Sequence, residues 1–511
     1  MPVPRRNVSG GDAGLFNDQS RFCHARKRRS LRRLTKHETL LIFLFVLTLP
    51  LSNPWVHGDG VGYYAYVRAL LIEGNLDFEK DWQHGNESFV MGRLDASGHV
   101  LSHQYTATGH LENLWSIGPS LLWAPFLVVT HLGVLAADRL GAHVPADGFS
   151  APYLITMAVT TAVYGFLGLW ISFCLARKYF DERWSFLATL GIWWGSSLPV
   201  YMYFNPSWSH AHSAFAVALF LWYWHRTRGA RTIAQWVLLG LLSGLMVNVY
   251  YPNGILLSIP LLEAVEGYYE RLRAESPDIK ELVRLFAAHV VYVLVFACAL
   301  LPTLVSRQVI FGSAVSTGYM PAQTWFWSSP KFWDVLFSAD HGVLSWTPIL
   351  ILSLLGLAFF RRADRPFARY LIVATVAFWI LISFYPDWDG LSSFGNRFFV
   401  SLTTVFILGL SAFFDRLARA WNERRAVIVA SAATAIFVVW NAGLIFQWGT
   451  HLIPARGPIS WRSAAYNQVA VVPEQAVSTV KSYLTRRKKL MDRIEQEDVK
   501  QIKSQRTEGT E

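Results

Sequence analysis

Just past the first apolar stretch, the run HGDGVGYYAYVRALLIEGNLDF places one carboxylate, Asp59, between two glycines. At a helix exit beside a bilayer such a group is partly desolvated, which raises an acid toward the range where it takes a proton from an alcohol, the work of a general base. A turn or helix-cap residue would look the same in sequence, and the spacing leaves both readings open. Tyr63 and Tyr64 follow as candidates for the wall of a substrate cavity. Tyr63, Tyr66, Val67, Leu70 and Leu71 recur at helical spacing, so an amphipathic helix lying in a membrane interface is expected there.

A second constellation is PDWDGLSSFGNRFF, in which Trp388 and Asp389 precede the Gly390 turn and Arg397 is the one basic residue. An arginine there can grip a phosphate through two parallel hydrogen bonds, with Gly395 allowing close backbone approach. The competing reading is a boundary arginine snorkelling to the interface. His57, His103, His110, His210, His212 and His341 fall in or beside the same set of loops, yet no pair has a metal-ligand spacing. His210 is the one singled out, because SWSH heads a helix expected to face the cavity. Asp77, Glu79 and Asp81 alternate in the first long loop, where a divalent metal is conceivable although solvated acids explain them more simply. No cofactor is firmly implied.

The elements that must position these groups are hydrophobic helices. Of 511 residues, 53% are apolar and 16% charged, well below the charge of an ordinary soluble domain, and the charge is gathered at the termini and in short clusters. Runs long enough for a bilayer recur at 38–55, 115–137, 151–176, 184–204, 208–224, 232–250, 253–263, 285–304, 342–360, 370–385, 398–414 and 426–447. The expected class is an all-α polytopic membrane protein of about 11–12 transmembrane helices, with interfacial helices in the first outer loop. Residues 1–37 read as a basic cytoplasmic tail, 38–450 as the membrane domain with 56–114 as its first outer loop, and 451–511 as a charged, solvated C-terminal tail.

Arginines and lysines crowd one alternate set of loops, including Arg177, Lys178, Arg183, Arg226, Arg228, Arg231, Arg361 and Arg362; the other set holds Arg139, Arg307, Lys331 and Arg397. The crowded set is therefore cytoplasmic. The basic N-terminus is cytoplasmic on its own account, and the two assignments differ by one crossing near 115–150, so either a re-entrant segment, with Pro119 and Pro125 as turning points, or a hidden crossing is expected there. Net charge is +11, but the basic residues form packets between apolar runs and no single face, so a nucleic-acid partner is excluded and membrane lipids are favoured. Cys23, Cys174 and Cys298 are far apart and form no metal or disulfide pattern. No Gly-rich loop opens a strand–helix unit, so a nucleotide-sugar site is not supported.

An acid just past the first span, a Tyr-Tyr helix, GNLDF, IGPSLLWAPF, SWSHAHSAF and WDGLSSFGNRFF occur in an order that resembles bacterial C-type (GT-C) integral membrane glycosyltransferases, which use polyprenyl-phosphate sugars. The resemblance spans most of residues 39–450. It implies Asp59 as the catalytic residue, an outer cavity at the membrane interface, and, from comparable SFGxR loops, a donor-phosphate role for Arg397. The implied partners are a polyprenyl-phosphate-linked sugar donor and a lipid, glycan or protein acceptor. The implied place is the inner (cytoplasmic) membrane with the active site facing the periplasm. With some 60 residues after position 450, the soluble outer domain of larger members is not expected, and the loops would recognise the acceptor. A flippase or transporter of lipid-linked sugars and a non-catalytic envelope-assembly protein are the alternatives. A transporter would place polar groups at mid-membrane, whereas these helices carry charge only at their ends.

Overall fold

The computed structural model describes residues 34–508 apart from 317, 320 and 321, so Cys23 and most of the basic N-terminal tail lie outside the described residues. Helices of ten or more residues are numbered in chain order: α1 (Lys36–Thr48), α2 (Asp59–Arg68), α3 (Gly118–Arg139), α4 (Ala151–Ala176), α5 (Glu182–Trp194), α6 (His210–Thr227), α7 (Ile233–Val249), α8 (Ser258–Leu272), α9 (Ile279–Ala299) and α10 (Leu301–Phe311). They continue as α11 (Ile349–Phe360), α12 (Arg365–Phe384), α13 (Thr403–Ala420), α14 (Glu423–Gly449), α15 (Trp461–Ala470), α16 (Val472–Thr485) and α17 (Arg487–Glu508). The architecture is that of an all-α polytopic membrane protein. Among the described residues, six helices are long and apolar enough to cross a membrane by length and composition. Other passes are shorter or broken. The expected 253–263 segment is a 3-10 stretch over Tyr251–Leu257, with Pro252 in its first turn, running into α8.

Side-chain pairs fix which helix ends lie together. At one end Glu38 of α1 meets Arg177 after α4 at 2.6 Å, and His37 meets Glu182 of α5 at 3.0 Å. Tyr179 donates to Asp364 at 2.8 Å, Arg228 pairs with the same carboxylate, and Arg183 pairs with Glu423. This is the arginine-rich end. At the other end Thr48 and Tyr203 share a hydroxyl hydrogen bond of 2.9 Å, and Ser116 donates to the Val249 carbonyl at 2.7 Å. Helices α1, α4 to α9 and α11 to α14 each run between the two ends.

Helix α3 does not. Its leading flank bonds to the end of α7 through Ser116, and the loop after it returns to α2, where the Tyr64 hydroxyl donates to the Gly148 carbonyl at 2.7 Å. Along its length it packs antiparallel on the first half of α4, with Trp123 Nε1 donating to Thr161 at 2.9 Å and His131 paired with Tyr153 at 2.6 Å. Both flanks of α3 therefore sit at the same end, which accounts for the one-crossing disagreement in the loop charges.

Two apolar cores result. The larger fills the bundle; the smaller gathers Tyr66, Phe78, Trp82, Phe89, Trp115 and Trp123 beneath the first long loop. Helix α2 belongs to the smaller core. Gly60 to Arg68 are all buried, so the helix expected to lie in the interface with one polar face is instead enclosed. The C-terminal segment also departs from a solvated tail. Helices α15 to α17 fold back on the loop-rich end, where Tyr483 donates to the Leu51 carbonyl at 2.7 Å and Arg487 donates to the carbonyls of Ser52 at 2.5 Å and Pro50 at 2.6 Å. These bonds satisfy carbonyls of the 3-10 turn, Leu49–Leu51, and its cap Ser52, which follow α1.

Candidate active site

Asp59 opens α2, and the residues around it explain its placement. Gly58 has φ +54°, a left-handed conformation that a side chain resists, and its N–H donates to Asn86 Oδ1 at 3.0 Å. Gly60 lies against the 205–210 loop so closely that a Cβ would fall 1.9 Å from Ser207 Oγ. The loop that buries Gly60 also supplies Trp208, whose Nε1 donates to the His57 carbonyl at 2.8 Å. Glycines on either side of Asp59 thus let α2 start in direct contact with the bundle.

Arg397 reaches the same point from the start of the segment that becomes α13. Its Nη1 lies 2.5 Å from Asp59 Oδ2, with the arginine side chain 11% exposed and the aspartate 29%. The guanidinium carbon sits 4.5 Å from the centroid of the Trp208 ring, a cation–π arrangement. Arg397 Nε is buried without a hydrogen-bond partner, so the fork keeps donor capacity for an anion. Gly390, with φ +76°, is the glycine whose absent side chain makes room, a Cβ there falling 3.3 Å from Arg397 Nε; Gly395 instead packs on Ser197 and Trp346. The close approach expected of Gly395 therefore belongs to Gly390.

Asp59 and Arg397 both line a cavity of about 450 Å³ at the loop-rich end. Its walls are mainly apolar, with Phe89, Trp115, Phe204, Ile445 and Trp448 among them, and helices α16 and α17 add Tyr483, Leu490, Met491 and Ile494. Three guanidiniums face it, Arg93, Arg397 and Arg456, against the carboxylates of Asp59 and Asp498. Arg93 stacks over Phe89 at 4.2 Å, and Arg456 Nε is likewise without a hydrogen-bond partner. Leu391 and His451 on the wall both hold positive φ, +58° each, a conformation that costs energy for residues with a side chain. An apolar chamber with an excess of cationic forks suits an amphiphile with an anionic head.

The other residues named from sequence fall elsewhere. Tyr63 is buried one turn beyond Asp59 and sets its ring edge-on to Trp115 at 6.5 Å, beneath the cavity. Tyr64 points away, to Gly148 and the ring of Trp123. His210 is 2% exposed and enclosed by the rings of Tyr201, Trp208 and Tyr250, so Trp208 stands between it and the chamber. Trp388 accepts from Asn396 Nδ2 at 2.9 Å through its carbonyl, and the Asp389 carbonyl accepts from His341 Nδ1 at 3.1 Å; both shape the loop that presents Gly390. Burial, with Asp389 adding repulsion, raises the Asp387 carboxyl and brings Asp340 to about 6, while burial pushes His341 down to about 4.

The acidic trio of the first loop separates. Asp81 is buried in a two-pronged pair with Arg68, at 2.6 Å to Nε and 2.5 Å to Nη2, whereas the Asp77 carboxylate accepts from the backbone N–H of Glu79 at 3.1 Å. A buried acid committed to an arginine and an exposed turn acid do not make one cation site. Several site residues carry no sequence signal of their own: Trp208, Asn86, Arg93 and the α17 acids Glu495 and Asp498. Only SWSH pointed toward one of those regions; the charge in 487–503 reads as a solvated tail.

Fold and site together define a polytopic all-helical membrane protein with a carboxylate–guanidinium pair lining an apolar cavity of about 450 Å³. Over 84% of its length the chain is similar to the crystal structure of ArnT from Cupriavidus metallidurans in the apo state, covering 74% of that chain at 14% identity and a TM-score of 0.44. No protein-family model and no curated protein sequence matches the chain.

Proposed function

We propose that this protein is an integral membrane glycosyltransferase that moves a sugar from a polyprenyl-phosphate donor to an acceptor hydroxyl at the outer face of the cytoplasmic membrane. The observation that carries this reading is the meeting of Asp59 and Arg397 across 338 positions of sequence, at the floor of one apolar, arginine-lined cavity. The concentration of arginine at the opposite end supports a periplasmic site.

In the donor-free arrangement Asp59 and Arg397 satisfy each other. When the donor phosphate arrives, Arg397 turns its fork to the phosphate oxygens, and Asp59 is released as an acceptor of protons. The acceptor oxygen then attacks the anomeric carbon while Asp59 takes its proton. The bond from that carbon to the phosphate oxygen breaks, and its electron pair leaves on the lipid phosphate, where Arg397 and the neighbouring Arg93 offset the growing charge. Attack opposite the leaving group inverts the anomeric centre. The apolar walls, including those from α16 and α17, hold the isoprenoid beside the phosphate.

The test uses purified protein in liposomes with a synthetic radiolabelled polyprenyl-phosphate sugar and a mixed acceptor extract. Label on a new acceptor supports the transferase reading. Label carried across the bilayer with the donor intact would favour a flippase, and neither outcome would favour an assembly protein.

A further inference from the structure

A cluster beside the cavity, unused in the proposed chemistry, joins the first outer loop to the C-terminal helix. His57, Glu495 and Asp498 bring ligand-type atoms within 4.8 Å of one another. His57 Nε2 lies 3.3 Å from Glu495 Oε2 and 3.8 Å from Asp498 Oδ2. From this geometry we propose that His57 Nε2, Glu495 Oε2 and Asp498 Oδ2 bind one divalent cation of the zinc class, which clamps α17 over the mouth of the cavity.

Spacing is the first argument. A charged imidazole–carboxylate hydrogen bond closes to about 2.7–2.9 Å, whereas His57 Nε2 and the buried Glu495 Oε2 stand 3.3 Å apart as a loose ion pair. Ligands of a tetrahedral ion with bonds of about 2.0–2.1 Å stand about 3.3 Å apart, which is the His57–Glu495 separation. The atoms are too far apart to bond one another well and suitably placed to share a metal.

Orientation is the second. Glu495 commits one oxygen, Oε1, to Asn86 Nδ2 at 2.9 Å and to the Ser88 N–H at 2.5 Å, and leaves Oε2 turned toward His57. Asp498 commits Oδ1 to His451 Nε2 at 2.8 Å and leaves Oδ2 on the same side. Each carboxylate is thus fixed by an outer partner through one oxygen while the other converges on the imidazole, the arrangement by which outer groups aim metal ligands. Burial adds weight, because Glu495 is 8% exposed and its carboxylate, held by Asn86 and Ser88 through one oxygen, has only the loose His57 pair on the other, which a cation would complete. One imidazole and two carboxylates favour zinc or a similar transition ion over calcium or magnesium, which take oxygen alone. The second cluster, Asp340, His341 and Asp389, differs: the ring nitrogen that faces its nearest carboxylate oxygen, His341 Nδ1 at 3.7 Å from Asp340 Oδ1, already donates to the Asp389 carbonyl.

The site stands apart from the transferase reading, and its test does not measure transfer. Full-length protein in detergent is stripped with a chelator, incubated with zinc chloride alone, desalted and assayed for metal and for thermal unfolding. The expected result is one zinc per chain with a raised unfolding temperature. Affinity should fall at least about 100-fold in His57→Ala and in Glu495→Gln, and be unchanged in His341→Ala. Glu495→Gln keeps an oxygen for Asn86 and Ser88, so it preserves the fold if His57→Ala does not. Absence of stoichiometric zinc, or zinc retained in Glu495→Gln, or zinc lost only in His341→Ala, would overturn the proposal.

Discussion

Two arginines buried at the same end of the bundle are used in opposite ways. Arg307, 1% exposed, donates to the carbonyls of Asn113 at 2.5 Å, Leu114 at 2.9 Å and Trp115 at 2.8 Å, and to the Tyr251 hydroxyl at 2.6 Å. Its fork is fully engaged, and it ties α10 to the chain that enters α3. Arg397 has one carboxylate, the aromatic faces of Trp208 and Phe398, and a buried nitrogen left over. A buried donor without a partner costs roughly 1–3 kcal/mol, which a structural arginine has no reason to carry. Arg307 is saturated by the fold, whereas Arg397 keeps the spare capacity that the proposed phosphate role would use.

The contrast can be broken by experiment. The largest effect is expected from Arg397→Ala, which should lower sugar transfer about 1000-fold through loss of phosphate binding and charge stabilisation, while the unfolding temperature moves little. A collapse of stability with no separate loss of rate would make Arg397 a second Arg307. Arg307→Met should do the reverse. Leaving the Leu114 and Trp115 carbonyls unpaired, and Asn113 with the Tyr66 hydroxyl alone, should cost about 3 kcal/mol of stability, read as a large drop in unfolding temperature, with the surviving folded fraction still active.

Smaller effects sharpen the picture. Gly60→Ala places a methyl against Ser207 Oγ and should cost about 2 kcal/mol, visible as a lower unfolding temperature together with reduced transfer, because the start of α2 must shift. Asp340→Asn should raise the unfolding temperature by about 2 °C at pH 7. Its carboxyl is held up at about 6, so the stability it lends is complete below its ordinary range near 4 and is lost as pH rises through 6. The gain in the variant should therefore vanish at pH 4. A gain that persists there would assign the effect to packing.

Much of the fold was legible because bilayer-length apolar runs are a strong signal: the 151–176 segment is α4 residue for residue, while the loop charges marked a one-crossing mismatch near 115–150 without saying whether a turned-back segment or a hidden crossing caused it. Asp59 and Arg397 were legible as residue types in glycine-rich outer loops, but their contact depends on the packing of helices hundreds of residues apart. Tyr64 and His210 misled because aromatic and histidine residues beside a glycine turn look alike whether they face a cavity or a core. The role of the C-terminal segment was hidden for a similar reason. Charge density in 487–503 reads as solvated, and only the folded chain shows that Tyr483, Arg487 and Glu495 turn back onto α1 and the first loop.

The most direct measurement is the transfer rate of Asp59→Asn beside its thermal stability. The amide keeps the shape of the carboxylate and an oxygen for Arg397 Nη1, so the unfolding temperature should stay within about 2 °C of wild type, while the rate should fall about 1000-fold or more with loss of the base. A variant that is equally stable and transfers sugar at the wild-type rate would contradict the account.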